Sequence, residues 1–393
     1  MQGDRLQQLI ANLCPQGVPY KRVRDVYKRL KGTPITASKM KEISTPNGEI
    51  RVFAGGKTAI NAHKSDIPTA NIIYRPAVLV QSRGIIDVIY YNKPFTFKNE
   101  MWAYYADDQV STKFLFYILK NNIQTFREAA SGMGSLPQIS LSVTEDFLIP
   151  VPPLEIQQEI VRILDHFTEL TAELTAELTA ELTARKEQYI YYRNRLLTPT
   201  SQSTWMTLGD IGKVAMCKRI MKAETSPSGD VPFYKIGTFG KEPDAYISKA
   251  KYEEYRSKYS FPKKGDILIS AAGTIGRTVI YDGEPAYYQD SNIVWVENDE
   301  SIVLNRYLYY YYQLQPWSVS TGGTIARLYN DNISKARISV PPLSEQRRII
   351  SILDRFDALC NDLTSGLPAE IAARQKQYEY YRDKLLTFKK REG

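Results

Sequence analysis

A 48-residue segment occurs twice in this chain of 393 residues, and that repetition fixes the architecture before any motif is sought. Residues 151–198 align with 340–387 at a constant offset of 189, without a gap, and 26 of the positions are identical. Weaker similarity continues into the flanks, with Tyr20-Lys-Arg-Val-Arg-Asp25-Val set against Trp205-Met-Thr-Leu-Gly-Asp210-Ile. The plan is therefore lobe, helix, lobe, helix, divided as 1–150, 151–198, 199–339 and 340–393, in a chain long enough for two cores.

Each copy reads as a long helix. Pro152-Pro153 and Pro341-Pro342 close an extended run and preset the first helical turn, with Ser344 as a candidate N-cap. Apolar residues fall at Ile156, Ile160, Ile163, Phe167, Leu170 and Leu174 in the first copy, and at Ile349, Ile352, Phe356, Leu359 and Leu363 in the second. Alternating steps of four and three mark a coiled-coil seam. One seam can cover the other in an antiparallel pair, which would set the lobes at opposite ends under approximate two-fold symmetry. Alternatively, each helix packs on its own lobe.

Between Thr171 and Leu182 the first copy runs Thr-Ala-Glu-Leu three times. Ala, Glu and Leu are strong helix formers, and each unit lengthens a helix by about 6 Å, so the run reads as an adjustable spacer. The second copy carries Gly366 and Pro368 at the corresponding place, which predicts an interruption or kink.

The lobes share a mixed pattern of short strands, one late helix and a closing strand. Gly265 to Ile280 reads as strand, glycine turn, strand, and Arg75 to Tyr90 matches it; Thr112–Lys120 and Leu304–Leu314 read as helices. Small-residue turns at 131–135 and 321–324 precede the last strand. The expected fold is α+β: two pseudo-symmetric α/β lobes separated by two long antiparallel coiled-coil helices.

Net charge is +8, of which residues 1–150 carry +7 and 199–339 carry +2, while 151–198 carry −3. Lys and Arg on the lobes suit a polyanion, although a basic balance alone does not decide the matter. Base reading needs donors and acceptors on loops with cations beside them. In the first lobe Lys28, Arg29, Lys31, Thr33, Lys57, Thr58 and Arg83 are candidates; in the second, Lys218, Arg219, Lys222, Lys235, Thr274, Arg277, Gln289 and Asn292. Taken singly, each also suits a solvated surface.

Catalytic machinery is not legible. Gly55-Gly56-Lys57-Thr58 resembles the end of a phosphate loop, but Arg51 stands where its first glycine belongs. The two Val-Pro-Pro-Leu sites lack the acidic or amide residue of an amino-methyltransferase motif. Cys14, Cys217 and Cys360 are far apart, only His63 and His166 exist, and no run of apolar residues suits a membrane span or signal peptide, so a cytoplasmic protein without a metal site is expected.

The Pro-Pro-Leu-x-x-Gln helix with Ile-Leu-Asp-x-Phe, the Arg-x-x-Gln-Tyr-x-Tyr-Tyr-Arg-x-x-Leu-Leu ending, the Thr-Ala-Glu-Leu units and Gly265-Asp-Ile-Leu-Ile-Ser with its Gly-Thr-Ile-Gly turn together resemble type I restriction-modification specificity subunits, most closely those with tetrapeptide spacers. The resemblance spans nearly the whole chain and is weakest in the first lobe, which has Gln81-Ser-Arg-Gly-Ile-Ile at the glycine turn. It implies a non-catalytic subunit of a DNA adenine methyltransferase and restriction complex. Double-stranded DNA, two methylation subunits and two motor and nuclease subunits would be its partners, and S-adenosylmethionine, ATP and magnesium would belong to those subunits. Tyr189, Tyr192 and Arg193, with their counterparts Tyr378, Tyr381 and Arg382, are the candidate docking face for methylation subunits, or else residues of helix-pair packing. A specificity chain of a type IIB-like system, and a coiled-coil DNA-architectural scaffold without sequence preference, are the rival readings.

Overall fold

The computed structural model describes residues 2–131, 136–319, 326–362 and 365–391. They form two compact units, Met1–Glu177 with Ile371–Gly393, and Leu178–Glu370. Leu363 and most of the two small-residue turns lie outside the described residues.

Both lobes are built to one topology. In the first, an antiparallel sheet has the order Lys28–Leu30, Trp102–Tyr105, Ala77–Gln81, Asp87–Tyr91, and a second sheet has Ala59–Ala62, Ile50–Phe53, Phe95–Phe97. The second lobe repeats this with Val214–Met216, Ile293–Val296, Ile267–Ser270, Thr278–Ile280 and with Tyr246–Ile247, Val231–Tyr234, Tyr287–Tyr288. In each lobe the smaller sheet joins an antiparallel pair to a parallel one. The expected strand-turn-strand units are Ala77–Gln81 with Asp87–Tyr91, and Ile267–Ser270 with Thr278–Ile280.

Strand side chains alternate between faces, so a strand buried on both sides must be apolar throughout. Val78 and Val80 enter one core while Ala77 and Leu79 enter another; Ile267 and Ile269 part from Leu268 in the same way. One core of each lobe is closed by its late helix, Gln109–Asn121 or Asn305–Tyr312. Four of the five consecutive aromatic or apolar positions from Leu308 to Tyr312 are buried tyrosine or leucine, and Tyr307 and Tyr311 spend their hydroxyls on the backbone of Ser339. A two-stranded ladder, Tyr20–Arg22 on Leu148–Pro150 and Thr204–Thr207 on Arg337–Val340, ties chain entry to chain exit in each lobe.

The first repeat is one continuous helix, Leu154–Leu196. The second is two, Leu343–Asn361 and Leu367–Leu386. The break falls where Gly366 was expected to cause it: a Cβ there would lie 2.6 Å from the Ala358 carbonyl oxygen. Pro342, not Ser344, is the N-cap, because the helix already begins at Leu343. The motif glutamines are buried beneath this corner. Gln157 and Gln346 donate to the Pro152 and Pro341 carbonyls at 2.8 Å, and Gln346 also accepts from Leu304 N at 2.9 Å.

Among the described residues, the first turns of each stripe are covered by a lobe. Ile156, Ile160 and Ile163 belong to the first lobe's core and Ile349 to the second's. Farther along, Phe167 meets Tyr381 edge-on at 6.1 Å in the first unit, and Phe356 stacks on Tyr192 at 5.7 Å in the second. These two contacts are the same pair exchanged between repeats, and both run antiparallel. Ile352 and Leu174 are half-buried, while Leu170 and Leu359 are exposed. Heptad spacing reports a buried stripe without naming its cover, and here a lobe with an open apolar face competes for the first turns.

The repeated aspartate of Ile-Leu-Asp-x-Phe fastens lobe to helix. Asp165 accepts from Lys113 Nζ at 2.7 Å and Tyr117 Oη at 2.6 Å; Asp354 accepts from Arg306 Nε at 2.7 Å and Tyr310 Oη at 2.5 Å. Burial, reinforced by these carboxylates, holds both tyrosine hydroxyls far above their usual range.

Candidate nucleic-acid interface

Three loops of the second lobe converge because the strands that carry them are neighbours. Tyr287–Tyr288 pairs with Val231–Tyr234, and Ile293–Val296 with Ile267–Ser270, so the segment Gln289–Asn292 passes from one sheet to the other. Its backbone is held at both ends: Gln289 N donates to Tyr234 O at 2.9 Å and Ala271 N to Asn292 O at 2.7 Å. Ser291 sits in the left-handed region (φ 53°), and Arg327 Nη2 braces its carbonyl at 2.7 Å.

This segment forms one wall of a cleft of about 640 Å³, and Arg219, Met221, Lys222 and Lys235 stand around it. Gln289 Oε1 accepts from Ile236 N at 3.0 Å, which fixes the amide and leaves its NH2 as the available donor. Arg219 Nε donates to Asp290 Oδ2 at 2.8 Å; the arginine side chain is 66% exposed and the aspartate 16%. Met221 is exposed. Five sequence candidates, Arg219, Lys222, Lys235, Gln289 and Asn292, thus share one site. Lys235 is paired with Asp244 at 2.9 Å.

The remaining second-lobe candidates are placed elsewhere. Lys218 carries its ammonium over the Tyr259 ring at 5.3 Å. Arg277 is committed to the Phe239 carbonyl at 2.9 Å, a structural use of the side chain that its position after a glycine turn does not reveal. Thr274 is exposed on that turn, whose Gly273 faces Ile236.

The first lobe gathers the topologically equivalent loops. Gly56 N donates to Arg83 O at 3.1 Å, Gln81 reaches the Gly56 carbonyl, and Gly55 N donates to Glu100 Oε1 at 3.3 Å. Lys57, Thr58 and Arg83 are exposed there, and Lys31 adjoins through Gly32, which lies against Lys98 and Asn99. One candidate is corrected and two lie away from these loops. Thr33 is buried and shares a 2.7 Å hydrogen bond with Thr96. Lys28 pairs with Asp107 and Arg29 with Glu145, and the register sets Lys28 opposite Tyr105, at the far end of the strand from Glu100. A basic run on a strand spreads along it, whereas a loop concentrates its residues.

Asp290, Met221 and, in the first lobe, Glu100 with its partner Lys98 at 3.1 Å are the residues that a search for basic and polar loops passes over. Asp290 and Met221 adjoin Gln289 and Lys222 in sequence, whereas Lys98 and Glu100 adjoin no candidate.

On the helices, Tyr189 is buried and donates to Gln313 Oε1 at 2.7 Å, burial pushing its hydroxyl up to about 12; Arg193 meets the same oxygen at 3.0 Å. Tyr378 shares a 3.0 Å hydrogen bond with Thr168, and Arg382 Nε donates to Asn121 at 2.8 Å. An exposed face made of all six residues is therefore corrected: much of this set ties helix to helix and helix to lobe. Tyr192 and Tyr381 remain partly open, and Tyr191 and Tyr380, also 189 residues apart, are the most exposed aromatics of the segment.

The family model for the type I restriction modification DNA specificity domain matches twice, over residues 15–184 and 202–373. The chain belongs to that family. A putative type I restriction enzyme specificity subunit of Haemophilus influenzae is 54% identical over 299 residues, covering 75% of this chain and 77% of the relative. The EcoR124I/EcoR124II specificity subunit of Escherichia coli is 34% identical over 306 residues, 73% of either chain. Among solved structures, a chain from a study of assembly and conformational transition of the type I restriction-modification system matches with a TM-score of 0.60 at 18% identity, covering 95% and 98%. The S subunit of M. genitalium matches with a TM-score of 0.50 at 17% identity, covering 94% and 96%. At such identities the structural likeness speaks for the fold. Type I specificity subunits confer DNA sequence recognition and are themselves non-catalytic. Among the described residues no group of three His, Cys, Asp or Glu side chains is placed to hold a metal, and no helix is long and apolar enough to cross a membrane.

Proposed function

We propose that each lobe of this type I specificity subunit reads one half of an asymmetric, interrupted DNA site, while the helices set the gap and dock two methylation subunits. The observation that carries this reading is that two lobes of one topology bring equivalent loops together but line them with different chemistry. Residues 1–150 and 199–339 are the readers, and 151–198 and 340–393 the connectors. The Thr-Ala-Glu-Leu run is the spacer whose length fixes the gap, as in the subgroup it resembles. Tyr191 and Tyr380, beside Tyr192 and Tyr381, are the exposed places at which a pair of like subunits can meet like surfaces. Methyl transfer, with S-adenosylmethionine, belongs to those subunits, and ATP and magnesium to two motor and nuclease subunits, in the cytoplasm where the DNA lies.

Methylome sequencing of a host carrying this chain and its methylation subunits tests the reading. A modified bipartite motif, absent when the chain is omitted, is the expected result. Unchanged methylation from a verified complex would leave an architectural role instead.

A further inference from the structure

We propose that Arg219 reads a guanine in the half-site of the second lobe and that Asp290 is its positioning residue. The inference rests on the two-lobe reading above and names one base contact within it.

A guanine presents O6 and N7 in the major groove as adjacent acceptors, and a guanidinium matches them with two parallel N–H groups. Arg219 is arranged for that use. Its Nε is spent on Asp290 Oδ2 at 2.8 Å, and among the described residues neither Nη has a partner, so the outward end of the fork is left free. The side chain is mostly exposed at the mouth of the cleft, with Met221 beside it and the Gln289 amide on the same wall.

The carboxylate separates base reading from phosphate binding. A phosphate contact gains nothing from a fixed negative charge 2.8 Å away, which repels the backbone and cancels part of the local attraction. A base contact gains orientation, because holding Nε limits the rotamers of a long side chain before DNA arrives. Asp290 is itself held, on a segment pinned to both sheets and followed by the left-handed Ser291, so the brace does not drift. Lys222, in the same cleft and among the described residues without an acidic partner, suits the phosphate role.

The test compares methylomes of complexes carrying the unaltered chain, Arg219→Ala, Arg219→Lys, Asp290→Asn, Arg219→Ala combined with Asp290→Asn, and Lys222→Ala. The second half-site is expected to contain a G·C pair at which Arg219→Ala and Arg219→Lys lower discrimination by about 5-fold to 150-fold, the other positions staying as they were. Arg219→Lys retains the charge, so loss with lysine identifies the fork geometry. Asp290→Asn is expected to relax the same position and no other, and to add nothing to Arg219→Ala at that position. Lys222→Ala is expected to weaken modification evenly across sites and to lower the salt dependence of DNA binding by about one ion. Uniformly reduced occupancy with every base still discriminated in Arg219→Ala would make this residue a phosphate contact and overturn the proposal. So would relaxation by Asp290→Asn at some other base. If the unaltered complex yields no bipartite motif, it is the two-lobe reading that fails.

Discussion

Asp165 and Asp354 occupy one position of the repeat and make one contact twice, each accepting from a cation and a tyrosine one turn apart on the late helix of its lobe. Asp354 is 43% exposed, so removing a charge-assisted pair there is expected to cost about 1–2 kcal/mol rather than the larger loss of a buried one. Asp354→Ala should therefore lower the urea midpoint of unfolding with an unchanged slope, and Asp354→Asn should lower it less; an unaltered midpoint in both would make the contact incidental. The repetition of this aspartate was visible in the sequence, but its partners were not, because Lys113, Tyr117, Arg306 and Tyr310 lie outside the repeated segment. Thr33 illustrates the opposite difficulty. A hydroxyl among lysines reads as surface until the pairing with Thr96 buries it.

At the scale of elements, the sequence spoke most clearly where composition and periodicity agree. Three of the four residues in each Thr-Ala-Glu-Leu unit are strong helix formers and the helix runs unbroken from Leu154 to Leu196; Gly366 and Pro368 lie where the second repeat parts into two. What covers each apolar stripe was not legible, since Ile156 and Ile349 satisfy a coiled-coil spacing equally well inside a lobe core. Removing Thr175 to Leu178 shortens the helix by about 6 Å and turns it by about 40°. Set against a rise of 3.4 Å per base pair, this is expected to shorten the tolerated gap by about one to two base pairs and leave both half-sites as they were. The same gap combined with altered half-site bases, read in the methylome of the deletion variant, would remove the spacer role.

For the molecule as a whole, two lobes of one topology differ where they would meet DNA. The segment joining the sheets is Lys98-Asn-Glu-Met in the first lobe, where Lys98 and Glu100 pair with each other and Glu100 also holds Gly55. In the second it is Gln289-Asp-Ser-Asn, where the carboxylate instead holds an exposed arginine from a distant loop. The scaffold that places these residues is shared and was recognisable from the glycine turns and late helices, whereas the residues it gathers are scattered in sequence and diverge between lobes. Each lobe closes on its own ladder, Tyr20 opposite Pro150 and Thr204 opposite Val340, so exchanging one leaves the other lobe's packing intact. Replacing residues 205–339 with the corresponding lobe of another family member is therefore expected to change one half of the modified motif and preserve the other half and the gap. A chimaera whose methylome changed in both halves would mean that the lobes read DNA jointly, and the loops that converge within one lobe would not be a complete reader.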